Sequence, residues 1–569
     1  MKFFGLLALL FVAGFIKERS EKKKDVKNAA PTNMVYCAPS FDPSKLDENG
    51  SAPLLQGLGN LKYKITTSSL KAQAYFNQGL ALTYGFNHGE AARSFKEATK
   101  YDSTCAMAYW GLAMVLGPNY NAPLNPVSLA DINAAIDNAV KYSANATPAE
   151  RAIINAMRKR FPLQEEKDMK PFYEKYAEGL KAAHHQFPDD VEIATLYADA
   201  LMNLHPWDLW QKDGNPQPWT PEIVDLLEKT LATNSNHPGA IHYYIHAIEA
   251  STFATKALPY ADRLSDMMPA AGHMVHMPSH IYIRTGYYHK GVIVNEKASL
   301  ADSSYIAQCK VQGMVPLVYY PHNLHFLTAS AFLEGNSKKA VEAAWAVSRN
   351  ADRKYINEYV GVQHFYIIPF YVMVHTAKWE EILKLEKPAD ELKYPVAIWH
   401  YARGMAYGAK GDLQQSEKEL QQIKTIAADT ALKSAIIWGF NSAYDLVNIA
   451  SYSLEAEIAF HKKQYSVAEE LLKKAIEIED SLHYTEPPDW FFSIRLSLGN
   501  VLLKAAKYAD AENVYLEDLK TFPENGWALM GLFNSLKAQG KMQEAKAIKQ
   551  RFDKAWQWSD LKITSSRIY

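Results

Sequence analysis

Residues 71–103 read KAQAYFNQGLALTYGFNHGEAARSFKEATKYDS, and the spacing of small and aromatic residues in this segment predicts a helical hairpin. Two small residues within it, Gly79 and Ala91, are 12 positions apart. Phe95 and Ala98 follow at the spacing of side chains on one face of a second helix. The pattern predicts two antiparallel helices joined by a short turn, with close approach of their backbones at the small residues.

The same pattern recurs near the C-terminal end. Gly499, Ala511 and Tyr515 keep the order and spacing of the first stretch, and Ala545 lies 34 positions after Ala511. A period of 34 residues is typical of helical hairpins that stack on one another. The pattern resembles that of tetratricopeptide repeat (TPR) proteins, in which small residues let paired helices cross closely and an aromatic residue fills the gap between units.

Between these ends, the sequence lacks convincing strand segments of alternating polarity. We therefore predict an all-α fold, a TPR-like α-solenoid in which about nine to eleven helical hairpins form a superhelix between residues 70 and 556. A chain of 569 residues also exceeds the size of one hydrophobic core. The predicted regions are a signal peptide or anchor (1–16), a flexible tether (17–69), N-terminal TPR-like repeats (70–204), histidine-rich central repeats (205–345) and C-terminal TPR-like repeats (346–569).

The N-terminus predicts export. Lys2 precedes an apolar run from Phe3 to Ile16, which is short for a spanning helix, since that needs about 20 apolar residues. We expect a signal peptide, with an uncleaved anchor as the alternative, followed by the polar tether. The protein would then lie in the periplasm or cell envelope, without a transmembrane domain beyond that anchor.

Composition and cysteine usage argue against several kinds of partner and site. The formal net charge is -1 and no long basic run follows residue 30, which argues against nucleic acid as a partner. The chain has three cysteines, and none are paired as C-x-x-C. Disulfide scaffolds, thiolate zinc sites and c-type haem attachment therefore lack support.

Histidines cluster in the centre of the chain, where nine of the 18 lie between residues 237 and 325. His242 and His246 are four apart, and so are His276 and His280, which follow the first pair by 34 positions. Four-residue spacing puts two side chains on one helical face, one turn apart. Two histidine pairs therefore occupy equivalent places on consecutive repeats.

The resemblance to TPR proteins implies which of these side chains face one another. In that family, positions 2, 5, 9 and 12 of the first helix of each unit line the concave groove. On this register the groove-lining residues are His242, His276 and His325 at position 5, His246 and His280 at position 9, His273 and His322 at position 2, and Glu249 at position 12.

Imidazole nitrogens bind zinc, copper, iron and nickel, and two H-x-x-x-H helices side by side bring four nitrogens to one point. Glu249 is interpreted as a further ligand, as an acceptor that orients an imidazole, or as a general base for bound water. Tyr243 follows His242, so the zinc-protease helix motif is not present. We predict a site for a divalent transition metal such as zinc, copper or iron, held by His242, His246, His276, His280 and His325.

These residues also resemble a narrower family. The human tetratricopeptide repeat protein 38 family, and bacterial proteins similar to it, carry an H-x-x-x-H-x-x-E helix followed by a second H-x-x-x-H helix. His242, His246 and Glu249 match the first helix, and His276 and His280 match the second. The resemblance implies a shared site without naming a reaction, and the N-terminal leader departs from the cytosolic members.

Two classes of function follow from these observations. The first is an exported binding protein whose groove holds a protein or peptide partner and whose histidines hold a metal ion or ligand. The second is a metal-dependent enzyme that uses the same cluster, with Glu249 as its acid or base. A peptide-binding scaffold without metal is a further alternative, because TPR grooves often bind peptides through polar and aromatic side chains. The sequence leaves these alternatives open.

Overall fold

The computed structural model describes residues 51–309, 314–490 and 492–568 of the chain. Helices joined by turns and loops follow one another along this part of the sequence. The first thirteen are α1 (Leu70–Tyr84), α2 (His88–Tyr101), α3 (Ala106–Leu116), α4 (Leu129–Tyr142), α5 (Pro148–Met157), α6 (Lys170–Gln186), α7 (Val191–Leu204), α8 (Thr220–Thr233), α9 (Pro238–Ile248), α10 (Leu258–Met267), α11 (Gly272–His276), α12 (Pro278–Thr285) and α13 (Tyr288–Cys309).

The remaining helices continue the same arrangement to the end of the chain. They are α14 (Tyr320–Leu333), α15 (Ser337–Asn350), α16 (Val360–His375), α17 (Trp379–Ile382), α18 (Lys393–Ala409), α19 (Leu413–Ala427), α20 (Ala443–His461), α21 (Tyr465–Ser481), α22 (Ile494–Lys504), α23 (Tyr508–Thr521), α24 (Gly526–Ala538) and α25 (Met542–Ala555). A π-helical turn, Val315–Tyr319, leads into α14. Two short antiparallel strands, β1 (Ile436–Ile437) and β2 (Asn441–Ser442), pair between α19 and α20.

An aromatic side chain on the second helix of a pair fills the space between consecutive repeats. Its ring lies so close to glycines on the flanking helices that a Cβ there would approach it within 3.0 Å. The sets are Phe95 with Gly79 and Gly111, and Tyr515 with Gly499 and Gly531. The chain is therefore an all-α, TPR-like solenoid, and the residues that predicted this fold also make its helix contacts.

With α11 and α12 counted as one interrupted helix, the 25 α-helices of the described residues form twelve consecutive pairs. The sequence predicts about nine to eleven pairs, because some pairs lack the characteristic spacing of small and aromatic residues. In the pair α5–α6, the close contact is made by a glycine on the second helix. A Cβ on Gly179 would lie 2.9 Å from the Cβ of Ala156.

We expect Gly499→Ala to destabilise the protein by about 1–3 kcal/mol, because the new Cβ would overlap the ring of Tyr515. Gly408→Ala on α18 is the matched control, because its Cβ would meet its nearest neighbour, Ser416 Oγ, only at 3.6 Å. There the gain in helix propensity should leave stability unchanged or raise it by up to about 1 kcal/mol. Urea unfolding of both variants provides the measurement, and equal effects would contradict this account of the packing.

The superhelix turns back on itself, so that its last repeats contact its central ones. The indole nitrogen of Trp527 on α24 donates a hydrogen bond to the carbonyl of Phe332 on α14 at 3.2 Å. The hydroxyl of Tyr288 on α13 donates to the carbonyl of Pro523 at 2.7 Å. This tight winding encloses the inner side of the central repeats, where the predicted histidines lie.

The described end of the predicted tether is packed rather than free. Residues 51–69 lie along α1, where the hydroxyl of Tyr75 donates to the carbonyl of Ala52 at 3.0 Å. Polar side chains of α1 thus satisfy backbone groups of an irregular segment. The predicted leader and the rest of the tether, residues 1–50, lie outside the described residues. Across the described helices, none combines the length and apolar character needed to cross a membrane.

Candidate metal centre

The central repeats direct the predicted histidines toward one another. α9 carries His242 and His246, and α11 ends at His276. Pro278 starts α12 and His280 lies in its first turn, so the second H-x-x-x-H pair crosses a break between two short helices. All four side chains are buried, with at most 2% of each residue exposed.

His242, His246 and His273 form a first group, which we call triad 1. One ligand nitrogen from each lies within 4.8 Å of the other two. Nε2 of His242, Nε2 of His246 and both ring nitrogens of His273 are buried, and within the described chain these atoms have no hydrogen-bond partner. Each buried nitrogen without a partner lowers the stability of the fold by about 1–3 kcal/mol. A metal ion bound by these converging nitrogens would supply the missing partner.

His276, His280 and His322 form a second group, triad 2, whose ligand nitrogens also lie within 4.8 Å of one another. Nε2 of His276 and Nε2 of His280 are 2.9 Å apart. Two nitrogens bound to one ion at about 2.0–2.1 Å, with an angle of 90–109°, would be separated by about 2.8–3.4 Å. The observed separation fits a shared ion, and it also fits a hydrogen bond if one of the two rings carries a proton there.

In two of the predicted ligands, Nδ1 faces a neutral oxygen. Nδ1 of His242 lies 2.6 Å from the carbonyl oxygen of Tyr84. Nδ1 of His276 lies 2.7 Å from Oδ1 of Asn295, whose amide group donates to the carbonyl of Gly291 and so is held in that orientation. Because these oxygens can only accept, Nδ1 carries the proton in both rings and Nε2 presents a lone pair.

In the other two, Nδ1 faces the carboxylate of Glu249, which lies at the C-terminal end of α9. Oε1 of Glu249 is 3.0 Å from Nδ1 of His246, and Oε2 is 2.5 Å from Nδ1 of His280. Burial alone would raise the pKa of Glu249, but the imidazoles of His280 and His246 lower it to about 2. The contact of Oε1 with His246 fits an acceptor that orients an imidazole. Glu249 also fits the role of a further ligand, because it forms with His280 and Glu486 a third group of potential ligand atoms within 4.8 Å of one another.

Protonation separates His280 from its neighbours. Burial, followed by nearby imidazoles, holds the pKa of His242 and His276 well below the ordinary value, so both rings are neutral at pH 7. Burial alone would also lower the pKa of His280, but the carboxylates of Glu249 and Glu486 raise it to about 9. Without an ion, a proton on Nε2 of His280 would make the contact with His276, and an ion bound there has to displace it.

His325, the fifth predicted ligand, is placed apart from both triads. Its ring lies 5.7 Å from that of His364 on α16, between centroids. His322 and His325 are three positions apart on α14, which offsets them by about 4.5 Å along the axis and about 60° around it. The ring of His322 lies in triad 2, and that of His325 lies beside His364. The groups of potential ligands found among the described residues do not include His325.

Sequence reasoning missed three members of the cluster as ligands. His273 and His322 were assigned to the groove but were not selected, because they lie outside the H-x-x-x-H pairs. Glu486 was not considered at all. Its Oε2 lies 3.2 Å from Nδ1 of His280 although the two residues are 206 positions apart, and no local sequence pattern signals such a contact.

The cluster is covered by aromatic rings, which corrects the expectation of an open groove. The rings of Phe86, Tyr120 and Trp207 lie 6.0, 5.1 and 5.7 Å from that of His246, between centroids. Trp207 adopts a left-handed backbone conformation with φ of 59° in the loop between α7 and α8. Loops from distant repeats thus fill the inner side of the superhelix, because its tight winding brings them together.

A cavity of about 330 Å³ adjoins the cluster on the side of the loop between α21 and α22. His246, Glu249 and Glu486 form part of its wall, together with Arg284. A small molecule held in this cavity would therefore lie beside His246 and both carboxylates.

Asp489, in the wall of this cavity, gives a prediction of pH dependence. Its Oδ2 accepts a hydrogen bond from Asn441 at 2.8 Å, and burial raises its pKa to about 7. Because the folded pKa exceeds the unfolded one, this group's contribution to stability is complete below about pH 4 and is lost as the pH rises through 7. The free energy of unfolding of Asp489→Asn, relative to that of wild type, should therefore rise by about 2 kcal/mol between pH 5 and pH 7.

Urea unfolding at the two pH values measures this gain. Asp225→Asn on the exposed face of α8 is the control, since Asp225 is 64% exposed and its replacement should give the same difference from wild type at both pH values. A stability difference for Asp489→Asn that does not change with pH would contradict the prediction.

Comparison with known proteins finds similar solved structures only at low TM-scores. No protein-family model matches the sequence, and no curated protein matches it significantly. The human IFIT1 dimer with m7Gppp-AAAA is 14% identical, with 86% of this chain and 91% of that chain covered and a TM-score of 0.31. Yeast Tom70 is 13% identical, with coverage of 85% and 92% and a TM-score of 0.28.

The APC/C hetero-tetramer Cut9-Hcn1 is also 13% identical, with coverage of 85% and 76% and a TM-score of 0.28. At these TM-scores the alignments carry no argument about function, and the fold follows from the helix pairs described above. The chain is thus a TPR-like helical repeat protein in its fold, with a buried cluster of histidines and carboxylates in its central repeats.

Proposed function

We propose that this protein binds divalent transition metal ions in the histidine cluster of its central repeats. The observation that supports this most directly is the shared orientation of four buried imidazoles, in which Nδ1 faces an oxygen and Nε2 is directed into the cluster. Metal-binding histidines are typically oriented in this way by carbonyl or carboxylate acceptors. A purely structural cluster would be expected to pair its remaining ring nitrogens with protein groups.

The donor atoms favour certain metals. Imidazole nitrogens suit zinc, copper, iron and nickel, whereas calcium and magnesium prefer oxygen ligands. Zinc, copper and iron therefore remain the proposed ions. At triad 2, binding should release the proton held by His280, so the affinity there should rise with pH up to about 9.

The wider setting is that of an interaction scaffold, since solenoids of this kind present extended concave surfaces. We further propose that the protein is exported to the periplasm or cell envelope, as its leader predicts. A protein or peptide partner would bind the concave surface outside the covered cluster. The resemblance of both H-x-x-x-H segments to those of the tetratricopeptide repeat protein 38 family supports our proposal of a shared site.

Titration of chelator-treated protein with Co²⁺ tests the metal-binding proposal. Cobalt bound by imidazoles gives visible absorption bands, and we expect saturable bands that Zn²⁺ abolishes by displacement. His325→Ala should bind like wild type, because His325 lies outside both triads. Absence of bands, together with no uptake of Zn²⁺ in equilibrium dialysis, would overturn the proposal.

A metal-dependent enzyme is the second candidate function, and the cavity beside the cluster is the observation that favours it. Catalytic ions keep an open coordination position, and the cavity wall includes His246 of triad 1. Both oxygens of Glu249 face imidazole nitrogens, and those of Glu486 face the hydroxyl of Tyr484 and Nδ1 of His280. Glu486 joins Glu249 as a candidate acid or base, because burial raises its pKa. Azide binds open positions on cobalt, so an enzyme should show an azide-dependent change in the Co²⁺ spectrum. An unchanged spectrum would leave a closed, non-catalytic site.

A further inference from the structure

The two triads are separate sites in space. In the described part of the chain, three groups of potential ligand atoms lie within 4.8 Å of one another: triad 1, triad 2, and Glu249 with His280 and Glu486. None of these groups contains histidines of both triads. Two nitrogens bound to one ion can be at most about 4.2 Å apart, which is twice the bond length. One ion therefore cannot be shared by all six imidazoles without rearrangement of the cluster.

We infer that the protein holds two metal ions, one on each triad, and that the carboxylate of Glu249 is a shared positioning group for both. This inference rests on the proposed metal binding and adds the number of ions and the element that links them. It also replaces the four-histidine point expected from the sequence with two three-histidine sites.

The contacts of Glu249 support its role as a positioning group shared by the two triads. Its two oxygens face different triads, because Oε1 lies 3.0 Å from Nδ1 of His246 and Oε2 lies 2.5 Å from Nδ1 of His280. Both contacts are made to Nδ1, so the Nε2 atoms of the two rings are directed away from the carboxylate and toward their own triads. Glu249 thus lies behind the ligands, hydrogen-bonded to Nδ1 of His246 in triad 1 and paired as an ion with His280 of triad 2.

Glu486 provides an internal control, because it reaches triad 2 alone. Its Oε2 lies 3.2 Å from Nδ1 of His280, and among the described ion pairs it contacts no histidine of triad 1. If Glu249 is shared, its removal should weaken the binding of both ions, whereas removal of Glu486 should weaken the binding of only one. A general loss of structure would not separate the two variants in this way.

Metal stoichiometry tests the number of ions. Titration of the full-length, chelator-treated protein with Co²⁺ should reach its end point at two equivalents. His273→Ala and His322→Ala should each retain one, because each removes a ligand from a different triad. An end point at one equivalent for wild type, or loss of all metal in both variants, would overturn the inference while leaving metal binding intact. The wild-type end point also serves if a variant fails to fold.

Affinity measurements in these single-ion backgrounds test the role of Glu249. Glu249→Ala should weaken Zn²⁺ binding by about 10–100-fold in both the His273→Ala and the His322→Ala protein, as expected for loss of an outer partner of a ligand. Glu486→Ala should weaken it only in the His273→Ala protein, which retains triad 2. An effect of Glu249→Ala on just one of the two ions would show that the carboxylate is not shared. Failure of wild type to bind any Zn²⁺ or Co²⁺ would instead refute the proposed function itself.

Discussion

In the double variant His242→Ala/His276→Ala, we expect bound metal to fall below about one tenth of the wild-type content. Each substitution removes one nitrogen ligand from a different triad, and loss of an outer partner alone typically lowers metal affinity by about 10–100-fold. Loss of a direct ligand should have a larger effect, since it removes a coordination bond. Elemental analysis after gel filtration of zinc-loaded protein provides the measurement.

His325→Ala is the matched control for this experiment. His325 is buried on the same helix as His322, but it lies beside His364 rather than in either triad. It should therefore retain the wild-type metal content. Unchanged metal in the double variant would leave the interaction scaffold as the supported function.

We expect the His273→Leu variant to be more stable than wild type without metal and less stable than wild type with metal. Neither ring nitrogen of His273 has a hydrogen-bond partner among the described residues, and its ring is surrounded by those of Phe86, Tyr319 and His242. Without metal, leucine should stabilise the fold by about 1–3 kcal/mol, because an unpaired polar group is replaced by an apolar one of similar size.

With metal, the wild type should become the more stable protein. An ion present at 1,000 times its dissociation constant stabilises the folded state by about 4 kcal/mol, and the leucine variant loses that gain at triad 1. Thermal unfolding with Zn²⁺ and with chelator measures both states. A variant that is less stable than wild type in both conditions would show that His273 has a structural role instead.

The fold was predictable because its contacts are local in sequence. Gly79 and Phe95, or Gly499 and Tyr515, lie 16 positions apart and meet within one helical hairpin. Spacing alone is sufficient to predict such a contact. The hairpin α5–α6 is harder to predict, because its close contact joins Gly179 to Ala156. There the glycine is on the second helix and the alanine on the first, the reverse of the usual pattern.

The site was predictable only in part, for the same reason. The repeat period placed His242, His246, His276 and His280 on equivalent helices, and the structure brings each pair together with a third histidine. The third histidines, the shared role of Glu249 and the contact of Glu486 depend on helix breaks and on the turn of the superhelix. Those features are set by packing between distant repeats and leave no mark on local spacing.

If the histidine cluster is a metal centre, the native protein should carry metal, and its metal content can be measured. The full-length chain would be purified from its own cells without an affinity tag or chelator, and analysed for all transition metals against protein concentration. We predict zinc, copper or iron at about two ions per chain, retained through gel filtration. If the protein carries less than about one tenth of an ion per chain and takes up neither Zn²⁺ nor Co²⁺ when these are added, the cluster is not a metal centre.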